Sequence, residues 1–434
     1  MLLDLVPNHT SDRHPWFVGA RSSREAPHRD WYVWADPRPD GSPPNNWVSI
    51  FGGSAWELDP RTGQYFLHNF LVEQPDLNWW NEDVRREFDD ILRFWLRRGI
   101  AGFRIDVAQG LIKDRELRDD PPATDDDPPD VLRRGLRPVY SLNRPEVHDV
   151  YRRWRTIADE FDPPGVLVGE TWVPDMERWS LYYGTDDDEL HLCFNFAFVF
   201  SDLRAEGLRG IVEATETAIR PQAQPVWTGS NHDVGRFPTR WCGGREDASR
   251  CALMAILTLR GTPFLYYGDE IGMTDVSVPV AETRDTVGLR LSPDAGRDPC
   301  RTPMQWTGER GAGFTGNGVR PWLPIGDVAS VNVEDQRADP ASMLHLCRDL
   351  IELRRRTPDL RSGAYASIPT PQDVWAWRRG SGIVVALNLS DGAAIVPLEP
   401  GTILVSTDRR RDGEHVRRRL TLEPWQGAVV RLSD

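Results

Sequence analysis

As far as residue 360, apolar and polar positions along this chain follow two alternating patterns. Short unbroken apolar runs, such as residues 166–168, have the length of buried strands. Between these runs, apolar residues recur every three or four positions, as on one face of a helix; one such face is formed by Val84, Phe88, Ile91, Leu92, Trp95 and Leu96. Strands that alternate with helices of this length predict an α/β fold, in which helices cover a parallel sheet.

The predicted elements follow one another in a regular order. Strands are predicted at residues 2–6, 100–103, 166–169, 192–199, 225–228 and 263–267. Helices are predicted at residues 84–96, 145–161, 176–183, 202–219, 247–260 and 343–351. Residues 11–78 break this order, because Pro, Gly, Trp and Asn crowd there without a helical period. That composition predicts a loop-rich insertion, with short strands around residues 64–67.

The number of predicted strands leaves two architectures open. A closed (β/α)8 barrel needs eight parallel strands, and the pattern predicts six. Either the sheet is open, or two strand–helix units of a barrel are missing. An open doubly wound sheet normally carries a Gly-rich phosphate loop after its first strand, and this chain has none there. After residue 361 the helical pattern stops, and runs such as residues 383–388 and 428–431 predict a small antiparallel β domain.

Charge and cysteine content exclude several classes of partner. Fifty-two basic and 66 acidic side chains give a formal charge of −14, which argues against binding to nucleic acids or anionic membranes. No apolar run approaches the roughly 20 residues of a membrane span. The five cysteines are odd in number and lack CxxC spacing, which predicts neither disulfides nor a zinc site. A reducing compartment, the cytoplasm, is the simpler interpretation.

Three predicted strands lead directly into acidic residues. These are Asp106 in GFRIDV, Glu170 in VLVGET and Asp233 in WTGSNHD. A buried strand can hold a carboxylate rigidly where it leaves a parallel sheet, which is how many catalytic sites are built. A single acidic residue is more often a helix cap or a satisfied core group. The repetition of this pattern in order along the chain favours chemistry instead.

The chain resembles a known family, the α-amylase superfamily of retaining glycosidases, and within it the α-glucosidases and oligo-1,6-glucosidases. The matching segments are DLVPNH (4–9), QPDLN (74–78), GFRIDV (102–107), VGET (168–171), SNHD (230–233), GDEIGM (268–273), RTPMQW (301–306) and PWLP (321–324). The resemblance covers essentially the whole chain. It implies a TIM (β/α)8-type barrel that is N-terminally truncated to about six of eight strands, because family members carry about two further strands ahead of DLVPNH.

The resemblance also implies a division of the chain. Residues 1–10 would form the first barrel strand present, and residues 11–78 an inserted loop-rich subdomain. Residues 79–360 would complete the catalytic barrel, and residues 361–434 would form a C-terminal β-sandwich-like domain. The acidic stretch at residues 119–130 is predicted to be a solvated flexible loop, with a lid over the pocket as the alternative.

Each carboxylate receives a role from the resemblance. Retaining glycoside hydrolysis needs an ionised carboxylate and a protonated one about 5 Å apart. Asp106 would be the nucleophile and Glu170 the acid/base. A setting beside Trp172 with little water would help Glu170 to keep its proton near neutral pH. Arg104 lies two residues before Asp106, on the same side of the strand, and an adjacent cation typically lowers a carboxyl pKa by roughly 1–3 units. Asp233 would hold sugar hydroxyls rather than react.

Further residues are assigned by the same resemblance. His9 and His232 would bind hydroxyls of the terminal sugar, and Arg301 would reach the second sugar or the surroundings of the nucleophile. Val107 follows the nucleophile, a position at which Val accompanies α-1,6 cleavage in this subgroup. Other positions are expected to be structural: Asp4, bonded to backbone or Asn8; Asp76 and Asn78 in a loop; and Trp79, Trp80 and Trp95 in the core. Trp172 is expected to line the pocket.

The sequence therefore predicts a retaining α-glucosidase that hydrolyses terminal α-1,6- or mixed α-1,6/α-1,4-linked glucose from short oligosaccharides. No cofactor, metal, nucleic acid or membrane is expected to take part, and the oligomeric state is left open. Three alternatives remain: an inactive fragment of a longer protein, a glucosyl-transferring or isomerising relative, and a non-enzymatic scaffold like the heavy chains of amino-acid transporters. The scaffold is disfavoured because all three carboxylates are present.

Overall fold

The computed structural model describes residues 1–290, 292, 295–316 and 318–433. The chain divides into two compact units, Met1–Phe194 and Asn195–Asp434. In the described part, no helix combines the length and the apolar character that crossing a bilayer requires.

The first unit contains a parallel sheet, a small antiparallel sheet and five α-helices within its described residues. Its strands are β1 (Leu2–Leu5), β2 (Trp34–Ala35), β3 (Trp56–Asp59), β4 (Gln64–Leu67), β5 (Gly102–Ile105), β6 (Val166–Gly169) and β7 (Leu192–Cys193). Its α-helices are α1 (Pro15–Ala20), α2 (Glu82–Leu96), α3 (Pro129–Arg134), α4 (Val147–Ala158) and α5 (Met176–Ser180). Short 3₁₀ turns lie at Arg29–Trp31, Ala108–Gly110 and Leu181–Tyr183.

The parallel sheet of the first unit has the strand order β1-β5-β6-β7. Leu5 pairs with Ile105, and Ile105 with Gly169, so these strands end at the same level. Gly102 allows β5 and β6 to come close: its φ is 144°, and a Cβ there would lie 2.0 Å from the carbonyl oxygen of Val166. The close approach brings the residues that follow β5 and β6 to one edge of the sheet.

Helix α2 shows why the apolar period identified a helix but not every buried position. Asn81 caps its start by accepting a hydrogen bond from the amide of Asp83, 2.8 Å away. Phe88 on its inner face stacks near Trp154 of α4, with ring centroids 6.3 Å apart. Trp95, predicted to lie in the core, is 39% exposed on the outer face, so that prediction is wrong. Trp79 is buried as predicted.

The insertion after β1 contains a three-stranded antiparallel sheet with the order β2-β4-β3. It has a small core of its own, formed by Trp47, Ala55, Trp56 and Leu67. The short strand predicted at residues 64–67 is β4, and that prediction is confirmed.

The second unit begins with short elements and ends in antiparallel sheets. Its strands are β8 (Val226–Trp227), β9 (Thr262–Pro263), β10 (Tyr365–Ile368), β11 (Val374–Arg379), β12 (Ile383–Asn388), β13 (Ala394–Pro397), β14 (Gly401–Ser406), β15 (His415–Val416), β16 (Arg419–Leu422) and β17 (Gly427–Leu432). Its α-helices are α6 (Phe196–Val199), α7 (Ala205–Ala218), α8 (Phe237–Arg240), α9 (Glu246–Thr258), α10 (Thr286–Arg290), α11 (Val333–Ala338), α12 (Met343–Arg356) and α13 (Pro358–Ser362). Further 3₁₀ turns lie at Asp269–Ile271, Val280–Glu282 and Asp298–Cys300.

In the second unit, a layer of helices packs against one face of the larger sheet and encloses an apolar core. The buried helix α9 lies with α12 and the inner faces of β11 and β12 in one apolar cluster that includes Trp375 and Trp377. The larger sheet has the order β10-β11-β12-β17-β14-β15, and its paired strands are antiparallel. The predicted C-terminal antiparallel sheet is therefore confirmed.

The predicted strand at residues 192–199 is wrong beyond residue 193. The strand β7 ends at Cys193, and Asn195 caps α6 instead, because its side chain accepts a hydrogen bond from the amide of Phe198 at 3.2 Å. The run Phe196 to Val199 is apolar throughout, and such a short run does not distinguish a strand from a buried helical turn.

The six parallel strands predicted from the sequence lie in two sheets. Four form the sheet β1-β5-β6-β7, and β8 and β9 pair in parallel as a separate two-stranded sheet. Strands β8 and β9 are only two residues long, shorter than the apolar runs that predicted them. That the barrel lacks two strands stays a prediction.

Candidate active site

The residues that follow β5 and β6 are held by the hydrogen bonds of the sheet. The amide of Asp106 donates to the carbonyl of Leu5, and the amide of Glu170 to the carbonyl of Ile105, both at 2.9 Å. Because each main chain is bonded to the neighbouring strand at the point where its acid begins, both carboxyl groups emerge from a rigid edge.

A single guanidinium group contacts both acids. Arg104 Nη1 donates to Asp106 Oδ1 at 2.6 Å, and Arg104 Nη2 lies 3.0 Å from Glu170 Oε2. Burial lowers the pKa of Arg104, but attraction to Glu170, Asp106 and Asp4 outweighs it, so that the pKa is raised overall. Arg104 therefore stays charged, and two acids joined through one guanidinium must lie close together.

The turn after Asp106 holds Glu170 from a second side. The amide of Val107 donates to Glu170 Oε2 at 3.0 Å, and the amide of Ala108 to the main-chain oxygen of Glu170 at 3.0 Å. Val107 adopts the left-handed region with φ 49° and ψ 46°, which is costly for a β-branched residue. Strain of this kind persists where surrounding bonds require it, and here the strained residue orients the carboxylate of Glu170.

His9 follows β1 and is held between two amide side chains. Its Nε2 lies 2.8 Å from Gln74 Nε2, and its Nδ1 lies 3.2 Å from Asn8 Nδ2. Burial lowers the pKa of His9, although Asp76 and Asp106 oppose that effect. The imidazole is therefore uncharged at neutral pH and can exchange hydrogen bonds with a neutral hydroxyl group.

Lys113 is a buried residue that the sequence reasoning missed. Its Nζ donates to Asn8 Oδ1 at 2.7 Å and lies 2.7 Å from Asp76 Oδ2. Asp76 also accepts the amide of Asn69 at 2.9 Å, which agrees with its predicted role in shaping the loop. The network joins DLVPNH to QPDLN and so supports His9. A lysine in the apolar context LIKD was the only signal for this role.

In the second unit, Asp233 lies on a bend after β8. The bend is closed by Asn231, whose Oδ1 accepts the amides of Asp233 and Val234, both at 2.8 Å. Asp233 Oδ1 accepts Arg301 Nη2 at 2.9 Å and Arg297 Nη1 at 2.6 Å, while Oδ2 lies 3.1 Å from His232 Nε2. Of the predicted site residues, this unit thus brings together Asp233, His232 and Arg301.

Arg297 is a second residue that the sequence reasoning missed. Besides Asp233 it contacts the carboxylate of Asp285 through Nη2 at 2.7 Å and Nε at 3.1 Å. Burial lowers the pKa of Arg297, but hydrogen bonding and attraction to Asp285 and Asp233 raise it overall. The only sequence signal was its position four residues before Arg301, at the start of the segment that leads into RTPMQW.

Two predictions for acidic residues of the first unit are wrong in part: the partner of Asp4 and the start of residues 119–130. The Asp4 side chain is 66% exposed and pairs with Arg104 at 3.5 Å, not with Asn8, because the strand directs it toward the same face as Arg104. The stretch at residues 119–130 is anchored at its start, whereas residues 122 and 124–126 are exposed, as a solvated loop requires. Asp120 is buried and accepts the hydroxyl of Ser141 at 2.6 Å, and Asp119 pairs with Arg38 at 3.1 Å.

The part of the chain that the structure describes offers no cluster of three or more His, Cys, Asp or Glu side chains suited to a metal ion. All five cysteines are unpaired and buried, at positions 193, 242, 251, 300 and 347. Trp172, which follows Glu170 by two residues, is partly buried, and its amide donates to Gln109 Oε1 at 3.2 Å.

Comparison with known proteins identifies the family of this chain. Residues 1–363 match the alpha-amylase catalytic domain. The chain is 40% identical over 416 residues to a probable alpha-glucosidase of Rhizobium meliloti (strain 1021), covering 91% of this chain and 74% of that one. It is 36% identical over 434 residues to an oligo-1,6-glucosidase of Heyndrickxia coagulans, covering 90% and 76%.

Solved structures are similar over the whole chain. A crystal structure of an alpha-glucosyl transfer enzyme has a TM-score of 0.91 and 35% identity, covering 100% of this chain and 82% of that one. The trehalulose synthase MutB from Pseudomonas mesoacidophila MX-45 has a TM-score of 0.87 and 28% identity, covering 100% and 83%. The chain belongs to the alpha-amylase catalytic-domain family. Its curated relatives are glycoside hydrolases, which confirms the predicted class of enzyme.

Proposed function

We propose that this protein is a retaining α-glucosidase that removes terminal α-linked glucose from short oligosaccharides. The observation that carries the proposal is the contact of Arg104 with both Asp106 and Glu170 at the ends of adjacent strands. Inverting enzymes separate their two carboxyl groups by about 6.5–9.5 Å to admit a water molecule, whereas retaining enzymes hold them about 5 Å apart. Two acids that share one guanidinium favour the shorter separation.

In the first step, the Asp106 carboxylate attacks the anomeric carbon of the terminal glucose. The bond from that carbon to the bridging oxygen breaks, and Glu170 donates its proton to the departing oxygen. The product is a covalent glucosyl ester of Asp106.

In the second step, water attacks the same carbon and Glu170, now ionised, takes its proton. The ester bond to Asp106 breaks, and glucose leaves with its original anomeric configuration. Arg104 stabilises the Asp106 carboxylate, which attacks in the first step and departs in the second.

The remaining residues would hold the sugar. We assign Asp233, His232 and His9 to the binding of sugar hydroxyl groups, following the family resemblance. Arg301 supports Asp233 through their 2.9 Å contact. Hydrogen bonds that sugar hydroxyls donate to a carboxylate strengthen as the ring distorts toward the transition state, so Asp233 would act chiefly on kcat.

Val107 leads us to propose a preference for α-1,6 or mixed α-1,6/α-1,4 linkages. It is buried and directly follows Asp106. Loss or gain of one methyl group in a pocket changes discrimination by about 1–3 kcal/mol, which biases a linkage preference without making it absolute.

The test is hydrolysis of p-nitrophenyl α-glucoside, isomaltose and maltose by this chain, with the first-formed glucose anomer followed by NMR. We expect α-glucose to appear first and to mutarotate later. Initial release of β-glucose would overturn the retaining mechanism. No turnover of any of the three substrates would overturn the proposed activity and favour the inactive alternative.

A second candidate is glucosyl transfer, because the structurally similar proteins include an alpha-glucosyl transfer enzyme and a trehalulose synthase. In that reaction a sugar hydroxyl replaces water in the second step. The two candidates are separated by chromatography of products formed from concentrated maltose or sucrose. Oligosaccharides or sucrose isomers in excess of free glucose would favour transfer.

A further inference from the structure

Asp233 lies on a bend and not on a strand, so its position depends on side chains. The bend is closed from within by Asn231, which fixes the local backbone but not the orientation of the Asp233 carboxylate. Two guanidinium groups converge on a single oxygen of that carboxylate, Oδ1, at 2.6 and 2.9 Å. Their arrangement determines how the carboxylate is turned.

The two arginines differ in what else their side chains hold. Arg301 donates through Nε to the main-chain oxygen of His232 at 2.6 Å, so both of these contacts go to the same bend. Arg297 instead joins Asp233 to Asp285, with two nitrogens on the Asp285 carboxylate and a third on Asp233 Oδ1. Arg297 therefore connects the bend to a different segment of the chain.

Asp285 is itself firmly held. Its side chain is 2% exposed, and its Oδ2 also accepts the main-chain amide of Arg297 at 2.8 Å. Burial raises the pKa of Asp285, but the hydrogen bonds and the charge of Arg297 together lower it by more. The pKa therefore lies below its ordinary value, and the group is ionised. Asp298 Oδ2 accepts the amides of Arg284 and Asp285 at 2.6 and 2.9 Å, which immobilises the Asp285 backbone.

We propose that Arg297, clamped by Asp285, is a positioning residue that sets the orientation of the Asp233 carboxylate for substrate hydroxyls. The inference rests on the proposed glucosidase activity and deepens it. A guanidinium is planar and forked, so a fork seated on Asp285 leaves its third nitrogen pointing in one direction. With Oδ1 occupied by Arg297 and Arg301, the carboxylate has a fixed face to offer to a sugar.

The test compares R297M with R297K, D285N and a matched control in the same unit, R260M. Arg260 forms a buried ion pair with Glu216 at 2.6 Å, and neither has been placed in the binding machinery. We expect R297M to lower kcat/KM for p-nitrophenyl α-glucoside about 10- to 100-fold, mostly through kcat, as loss of a charged hydrogen bond implies. R260M is expected to lower the melting temperature without changing kcat/KM more than about twofold.

The other two variants separate positioning from charge alone. Lysine keeps the charge but has no fork with which to hold Asp285 and Asp233 together. R297K should therefore recover only part of the loss. D285N removes the charged anchor while leaving Arg297 in place, and we expect an effect smaller than that of R297M but in the same direction. Full recovery in R297K would show that charge, not positioning, matters, and would overturn the proposal.

A double-mutant cycle gives a readout that a merely structural role would not produce. If Arg297 acts through Asp233, R297M should cost less than about threefold in a D233N background, because the group it positions has already been altered. Equal losses in the two backgrounds would overturn the proposal. The proposal would also be overturned if the wild-type chain is active and R297M and R260M lower its kcat/KM to the same small extent. An inactive wild-type chain would instead overturn the proposed function and the inference with it.

Discussion

The acids of the first unit and the acid of the second are held in opposite ways. Asp106 and Glu170 directly follow the last residues of two paired strands, and their amides belong to the hydrogen-bond pattern of the sheet. Their shared cation, Arg104, comes from the same strand as Asp106. Asp233 lies on a bend, and its cations come from 64 and 68 residues further along the chain.

This difference fits the work that we propose for each group. A nucleophile and a proton donor must be placed within fractions of an ångström of the reacting bond, and backbone hydrogen bonds supply that precision. A group that holds hydroxyls can be oriented by side chains, since small adjustments weaken its hydrogen bonds to the sugar without displacing the reacting atoms. The comparison predicts steeper losses for changes in the first unit than for changes in the second.

The largest loss is expected from D106A. Removing the nucleophile leaves no group to form the covalent intermediate, so kcat for p-nitrophenyl α-glucoside should fall by about 10⁴-fold or more. Steady-state kinetics measures the loss, and thermal unfolding checks that the variant remains folded. Activity within about tenfold of wild type would contradict the assignment of Asp106.

E170Q should cost about 10²–10⁴-fold, the usual contribution of general acid catalysis. The amide keeps the shape of Glu170 but cannot donate a proton to the leaving oxygen. The loss should be much larger for isomaltose than for p-nitrophenyl α-glucoside, whose leaving group needs little protonation. Steady-state kinetics of E170Q on both substrates measures the two losses. Equal losses would contradict the assignment of Glu170 as the proton donor.

R104M sharpens the comparison with R297M. It removes the cation that contacts both acids, and we expect a loss of about 10²–10³-fold in kcat, similar to that from removing an electrostatic stabiliser elsewhere. Kinetics of R104M and R297M measured side by side rank the two arginines. A larger loss in R297M than in R104M would reverse the proposed order of the two units.

V107A should change linkage preference more than overall rate. Removing two methyl groups beside the nucleophile is expected to shift the ratio of maltose to isomaltose hydrolysis upward by about tenfold. The main-chain bond from residue 107 to Glu170 is retained, so kcat for p-nitrophenyl α-glucoside should change little. An unchanged ratio would remove Val107 from the linkage-determining residues.

The smallest effect on activity is expected from D269N, which tests stability in the second unit. Asp269 is fully buried, and burial raises its pKa to about 7. Between the unfolded pKa near 3.9 and this value, the folded state holds the proton that the unfolded state has lost. The free energy of unfolding therefore falls as pH rises through that window, by an amount on the order of a few kcal/mol.

Asparagine has no carboxyl group to titrate, so D269N should lose this pH dependence. Denaturant unfolding of wild type and D269N at pH 5 and pH 8 measures the difference. We expect D269N to gain stability relative to wild type as the pH rises. Parallel changes in the two proteins would show that Asp269 does not titrate in this range.

Local sequence predicted well wherever local physics dominates. The strand β6, the helix α2 and the strand β4 follow from apolar runs and periods, because burial of one face determines such elements. It failed where tertiary context decides. Trp95 fits the apolar period of α2 but lies on its exposed side, and the run after Cys193, too short for a strand to be distinguished from a helical turn, forms a helical turn.

The sequence by itself determined the order of strands and helices, the positions of the acidic residues relative to their strands, and the family. These depend on neighbours along the chain. Only the tertiary structure decided that Arg104 contacts Glu170 as well as Asp106, that Lys113 joins Asn8 to Asp76, and that Arg297 ties Asp233 to Asp285. Such contacts join residues far apart in the sequence, and their geometry exists only once strands are paired and side chains are packed.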